Sequence, residues 1–245
     1  MDEIELTIIG CGDAFASGGK FHTCFYVRSE SCNFLIDCGA SAITSLKQQG
    51  IRCEDIDVVL ISHFHGDHFG GLPFLLLDAS VNKRKKPITI VSPPGGKEKV
   101  EKLFELLYPG SELSKELIVN YEEYHDSKVL STSNLMLIAF PVKHKEATLP
   151  HGLRIVIDSK VISYSGDTEW TPVLENLAEN ADLFICECNF FESNIEGHMN
   201  YETLVEKIPD LYCKQILLTH FGEEMIENLE RVKSSYASDG MKIVF

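Results

Sequence analysis

Long apolar runs are missing from this chain of 245 residues: none approaches the roughly 20 apolar residues that a membrane span requires. The start, MDEIELTIIG, carries acid where a secretion signal carries Lys or Arg, and its apolar stretch is short. A soluble, cytoplasmic protein with no membrane partner is expected. Basic clusters are equally scarce, with 22 Lys and Arg against 37 Asp and Glu and a formal net charge of −15. Phosphate-backbone binding rests on counterion release to basic residues, so an extended nucleic acid is a poor partner. The single basic run, Lys83-Arg84-Lys85-Lys86, precedes Pro87 in a turn-like stretch and reads as a solvated loop rather than a substrate-docking patch. A cysteine framework is also lacking. Cys11, Cys24, Cys32, Cys38, Cys53, Cys186, Cys188 and Cys213 are scattered among strand-like residues, which excludes a small disulfide scaffold and fits reduced thiols. Cys186-x-Cys188 points two thiols to one face of a strand with no second pair elsewhere, so packing is preferred to a structural zinc.

What is present suits one globular domain over 1–245, with 44% hydrophobic and 24% charged residues and no linker or repeat. Runs of Val, Ile and Leu predict strands at 4–9, 24–27, 34–36, 58–61, 88–91, 135–140, 153–157, 161–164, 183–186 and 216–218. Helix-like stretches occupy 42–49, 96–107, 171–180 and 201–207. Strands before and between helices, without strict alternation, predict an α/β protein of packed sheets faced by helices. The polar peculiarities sit where strands end, the usual place for functional groups on a rigid scaffold. Ser62 to His68, His144, Gly166-Asp167-Thr168, Glu187 and His220 each follow an apolar strand.

The densest of these, Ser62-His63-Phe64-His65-Gly66-Asp67-His68, packs three imidazoles and a carboxylate into six positions. Neither core packing nor solubility requires that, whereas imidazole and carboxylate are the usual ligands of zinc and neighbouring divalent ions. One loop can offer His63 and His65 to one ion and Asp67 and His68 to a second, the arrangement that activates a water and clamps both oxygens of a displacement.

At these residues the sequence resembles the metallo-β-lactamase superfamily, whose signature His-x-His-x-Asp-His follows a strand. Ile36-Asp37-Cys38-Gly39 resembles its structural Asp-x-Gly turn, and Gly10-Cys11-Gly12-Asp13 its early glycine loop. Pro141-Val142-Lys143-His144, Ser165-Gly166-Asp167-Thr168 and Thr219-His220-Phe221 resemble the later ligand motifs. The resemblance implies a four-layer αββα sandwich and two divalent ions, zinc first, with manganese or iron as alternatives. It assigns His63, His65 and His144 to one ion, Asp67, His68 and His220 to the other, and Asp167 to both.

Phe69-Gly70-Gly71-Leu72-Pro73 and Tyr164-Ser165-Gly166-Asp167-Thr168 resemble ribonuclease Z and its phosphodiesterase relatives. Cys186-Glu187-Cys188-Asn189 with His198 resembles that group's His-Glu-Ala-Thr segment and its following His, although Cys186 and Cys188-Asn189 depart from the pattern. Carried over, His198 is a proton donor at the scissile phosphate, Glu187 orients it, and Asp67 orients or deprotonates the nucleophile, a hydroxide bridging the ions. Ribonucleases Z carry a long basic arm between the residues matching His144 and Asp167. Here only 22 residues (145–166), read as two strands, fill that space. A small or cyclic phosphodiester is therefore the expected substrate. The alternatives are a ribonuclease Z-like RNA endonuclease, a lactonase, thioesterase or arylsulfatase of the same fold, and a non-catalytic metal-binding partner protein. A homodimer is expected because such relatives pair. Gly18 to His22 read as a mobile surface loop, and Trp170 as pocket lining or helix-start packing.

Overall fold

The computed structural model describes residues 3–245. The first half builds β1 (Glu5–Gly10), β2 (Cys24–Arg28), β3 (Phe34–Ile36), β4 (Val58–Leu60), β5 (Ile88–Ser92) and β6 (Val119–Glu123). The second half adds β7 (Val129–Thr132), β8 (Leu135–Pro141), β9 (His151–Ile157), β10 (Lys160–Tyr164), β11 (Leu183–Glu187), β12 (Ile216–Thr219) and β13 (Lys242–Val244). Two mixed sheets result, in the orders β13-β1-β2-β3-β4-β5-β6 and β12-β11-β10-β9-β8-β7. Seven helices accompany them among the described residues: α1 (Ala42–Gln48), α2 (Gly66–Phe69), α3 (Leu72–Val81), α4 (Gly96–Leu107), α5 (Val173–Ala178), α6 (Tyr201–Lys207) and α7 (Glu223–Glu227).

Strand alternation sorts side chains into the layers. Val58 and Leu60 of β4 join Phe25, Val27, Phe34 and Ile36 in the core between the sheets, whereas Val59 and Ile61 meet Leu46, Leu72 and Leu76 of the outer helices. A strand wrapped on both faces must be apolar throughout, which is why β4 reads as an unbroken run. Each such buried aliphatic side chain contributes about 1.5–3 kcal/mol. On the other side α5 lies against β8, β9 and β10. Helix, sheet, sheet, helix is the expected αββα sandwich.

The strands missed by the sequence reading, β6, β7 and β13, are edge strands. They are half-exposed and polar at alternate positions, so they carry no apolar run. Helix α3 was missed for the opposite reason. Its sequence, LPFLLLDASV, is apolar almost all round and shows little helical contrast. The segment between His144 and Asp167 holds β9, a turn at Asp158-Ser159 and β10, leaving no room for an arm. The basic run needs a correction. Arg84 is buried rather than solvated, donating from its guanidinium to the carbonyl oxygens of Cys53, Ile56, Lys86 and Pro87. Among the described residues no helix is long and apolar enough to cross a membrane.

Candidate metal centre and active site

Register brings the polar clusters together at one end of the sandwich. Ile36 pairs with Leu60, so the turn after β3 lies beside the loop after β4. Tyr164 pairs with Ile185, and Glu187 with Thr219, which aligns Asp167, Glu187 and His220. Gly39 permits a close approach of the two loops, because a Cβ there would lie 2.2 Å from the Asp67 carbonyl oxygen. Asp37 and His220 both hold left-handed backbone, with φ of 57° and 62°. Such conformations cost non-glycine residues about 1–3 kcal/mol each and persist where the surroundings over-determine them.

Three groups have their ligand-type atoms within 4.8 Å of one another: His63, His65, His144 and Asp167; Asp67, His68, Asp167 and His220; and Asp167, Glu187, His198 and His220. The first two are the donor sets that the ligand motifs name. Asp167 belongs to both. Its Oδ2 is 3.7 Å from His63 Nε2 and 3.3 Å from His220 Nε2, while Oδ1 is 3.2 Å from His68 Nε2. The outer nitrogens explain why these rings face inward. His68 Nδ1 donates to Asp37 Oδ2 at 2.7 Å, and His144 Nδ1 to the Gly197 carbonyl at 2.7 Å. Ser62 Oγ gives its own proton to Asp37 Oδ2 at 2.8 Å, so it accepts from His63 Nδ1 at 3.1 Å. Thr23 Oγ1 donates to the Gly12 carbonyl at 3.3 Å and accepts from His220 Nδ1 at 2.9 Å. Hydrogen bonding thus places an N–H at Nδ1 of these four rings and turns each Nε2 inward.

The inward nitrogens converge. His65 Nδ1 stands 3.2 Å from His63 Nε2 and 3.0 Å from His144 Nε2. Among the described residues, buried His68 Nε2 and Asp167 Oδ1 have no hydrogen-bond partner. Lone pairs and carboxylates crowded together are costly unless cations sit among them, so the residues fit divalent ions. The charges divide within the centre. Burial, aided by the His68 charge, pushes His63 below the ordinary imidazole range, and burial brings His144 down to about 4, whereas the Asp167, Asp67 and Asp37 carboxylates outweigh burial and hold His68 well above it, so a cation is favoured between Asp67 and Asp167. Burial acts upward on Asp67 and Asp167, yet neighbouring imidazoles, His68 for the first and His220 for the second, outweigh it and hold both carboxyls low.

Glu187 and His198 stand against this centre. Glu187 is fully buried; its Oε1 pairs with His198 Nδ1, and Oε2 accepts the amides of Thr168 at 2.6 Å and Met199 at 3.3 Å. Burial lowers the His198 pKa, but the Glu187 charge and hydrogen bond carry it up to about 9. Its ring stacks on His220 at 5.8 Å, 10° from parallel. A cavity of about 790 Å³ opens over the centre. Beside Asp67, Asp167, His198 and His220 it is walled by Phe15, Phe69, Phe74, Leu103, Leu107 and Phe190. Of the Gly18–His22 loop only His22 lines it; Trp170 instead shares a neighbouring cavity of about 300 Å³ with His198. Cys186 and Cys188 are buried free thiols, consistent with packing.

Comparison with known proteins accords with this geometry. Residues 4–238 match the family model described as Anti-Pycsar protein Apyc1. The chain is 28% identical to the Anti-Pycsar protein Apyc1 of Paenibacillus sp. (strain J14), with 91% of each chain covered. It is 26% identical to a ribonuclease Z of Lachnospira eligens, covering 91% of this chain and 89% of that protein. Among solved structures, the metallo-β-lactamase fold protein YhfI of Bacillus subtilis superposes with a TM-score of 0.81 at 21% identity, each chain covered in full. The short form of human tRNase Z gives 0.78 at 24% identity, with 98% of each chain covered. With a match over nearly its whole length, the chain belongs to the Anti-Pycsar protein Apyc1 family, built on the metallo-β-lactamase fold it shares with ribonuclease Z.

Proposed function

We propose that this protein is a metal-dependent phosphodiesterase that uses two divalent ions, zinc first, with manganese or iron as alternatives, on a small or cyclic phosphodiester. The observation that carries the reading is the pair of donor sets sharing Asp167 with the Glu187–His198 pair standing beside them. His63, His65 and His144 would hold one ion and Asp67, His68 and His220 the other. Bound there, the ions supply an acidified water and neutralise charge on the phosphoryl oxygens.

The chain's own residues then have separate tasks. Asp67, through its carboxylate, orients the attacking water or takes its proton. His198, cationic at neutral pH, donates a proton to the oxygen that leaves phosphorus as the P–O bond breaks, so the alcohol departs neutral. Glu187 fixes that ring through Nδ1 and stabilises its charge, while the Thr168 and Met199 amides fix Glu187. The apolar walls exclude water and receive the organic part of the substrate. A small substrate is favoured by the cavity volume, by the net charge of −15 and by the two-residue turn where an RNA-gripping arm would stand.

The test is metal analysis of the purified protein alongside a screen of cyclic and linear phosphodiesters, with lactones and thioesters as controls. Hydrolysis of cyclic phosphodiesters that a chelator abolishes and metal restores is expected. No phosphodiesterase activity with any divalent metal would defeat the proposal.

A further inference from the structure

We propose that His22, outside both donor sets, reads the organic substituent of the substrate by donating a hydrogen bond from Nε2 to an acceptor atom on it. The inference rests on the phosphodiesterase reading and deepens it. His22 lines the cavity over the metal centre, yet its Nδ1 is buried and, among the described residues, has no hydrogen-bond partner. The backbone amide of His22 is already committed to Ser41 Oγ at 2.8 Å. Buried acceptors are left unpaired more readily than buried N–H donors. An N–H on the unpartnered Nδ1 is therefore disfavoured, which places the donor on Nε2, the nitrogen left to the cavity.

The backbone and Cβ of His22 are closely enclosed. A Cβ at Gly10 would lie 2.0 Å from the His22 carbonyl oxygen, and one at Gly39 would lie 2.5 Å from His22 Cβ. The amide of Phe21 donates to Asp239 Oδ2 at 2.9 Å. Next in sequence, Thr23 engages His220, so His22 stands immediately beside the Asp67–His68–His220 set. The same loop presents Phe15, 87% exposed, at the cavity rim. Asp13 fixes it by accepting from the amides of Phe15 and Ser17 at 3.1 and 3.0 Å and from Ser17 Oγ at 2.8 Å. A largely apolar wall with one fixed donor is how a pocket sets orientation and specificity. A planar heteroaromatic group with a carbonyl or ring-nitrogen acceptor, laid along Phe15, meets both features.

The experiment is calorimetric titration of the metal-loaded protein with two probes, inorganic phosphate and a nucleoside 5′-monophosphate, for wild type, His22→Ala and His22→Gln. Wild type is expected to prefer the nucleotide. His22→Ala should weaken the nucleotide about 10-fold while leaving phosphate within about 2-fold, the size of one lost hydrogen bond, and His22→Gln should recover part of the loss. Metal content should be the same in all three. Equal weakening toward both probes, a loss of metal, no nucleotide preference in wild type, or no effect of His22→Ala would each overturn the assignment. Because the readout is binding, it separates from turnover: a His22-dependent nucleotide preference without phosphodiester hydrolysis would defeat the function and leave His22's role standing.

Discussion

Replacing Glu187 with Gln keeps size and one acceptor but removes the charge that faces His198. Glu187 Oε2 must go on accepting the amides of Thr168 and Met199, so the new amide oxygen takes that side and the NH2 group turns to His198. His198 Nδ1 then has to accept, and the ring becomes neutral with its proton on Nε2. In the wild type the Glu187 charge and hydrogen bond overcome burial and raise the His198 pKa from 6.5 to about 9. That shift corresponds to about 3.4 kcal/mol favouring the cation. Without the charge, burial alone acts and the pKa falls to the ordinary value or below. At about pH 8 the protonated fraction drops from about nine-tenths to about 0.03, so kcat/KM on a poor leaving group should fall about 30-fold. The gap between the two enzymes should narrow as pH falls toward the variant's own pKa, because His198 then gains its proton in both. Bound ions would lower the pKa in both proteins alike, moving this window without changing its width. The assay is the pH profile of kcat/KM on an alkyl phosphodiester and on bis-nitrophenyl phosphate. Parallel profiles for wild type and variant, or equal losses on the two substrates, would refute a protonated His198 supported by Glu187.

Other consequences follow from the same geometry. Asp37→Asn leaves His68 Nδ1 and Ser62 without their shared acceptor and should weaken metal binding about 10- to 100-fold, measured by competition with a chromogenic chelator; unchanged affinity would remove Asp37 from the support of the centre. Arg84→Met strands the buried carbonyls of Cys53 and Ile56 and the part-buried ones of Lys86 and Pro87, and should cost about 2–4 kcal/mol in urea unfolding with metal content intact; a change under about 0.5 kcal/mol would contradict the buried role. The His144 pKa is depressed to about 4, so in the metal-free protein its contribution is present above about pH 6.5 and lost as pH falls to about 4, up to about 3.4 kcal/mol. Urea midpoints of the chelated protein across that range should fall less steeply for His144→Asn than for wild type, and identical slopes would count against the shift.

Much of the fold was readable because β4, β5 and their partners are buried on both faces and so must be continuously apolar. Edge strands β6, β7 and β13 were not, because half-exposed backbone tolerates polar residues. Arg84 looked like one of four surface cations, and only the meeting of four carbonyls around its guanidinium made it internal. His22 carried no signal of its own, since a histidine after a glycine pair is ordinary. Its position depends on Gly10 and Gly39, remote in sequence, closing around it.

The sequence by itself determined the chemical inventory: the His63 to His68 cluster, and His144, Asp167, Glu187, His198 and His220 each placed beyond an apolar run. Ligand type is a property of side chains, and strand ends are marked by hydropathy, so both are local and legible. The tertiary structure decided what those groups do together. Strand register set Asp167 among the donor sets, buried hydrogen bonds turned the ligand nitrogens of His68 and His144 inward, and a buried carboxylate raised the His198 pKa. Tautomer, pKa and convergence depend on neighbours far apart along the chain, and only folding supplies them.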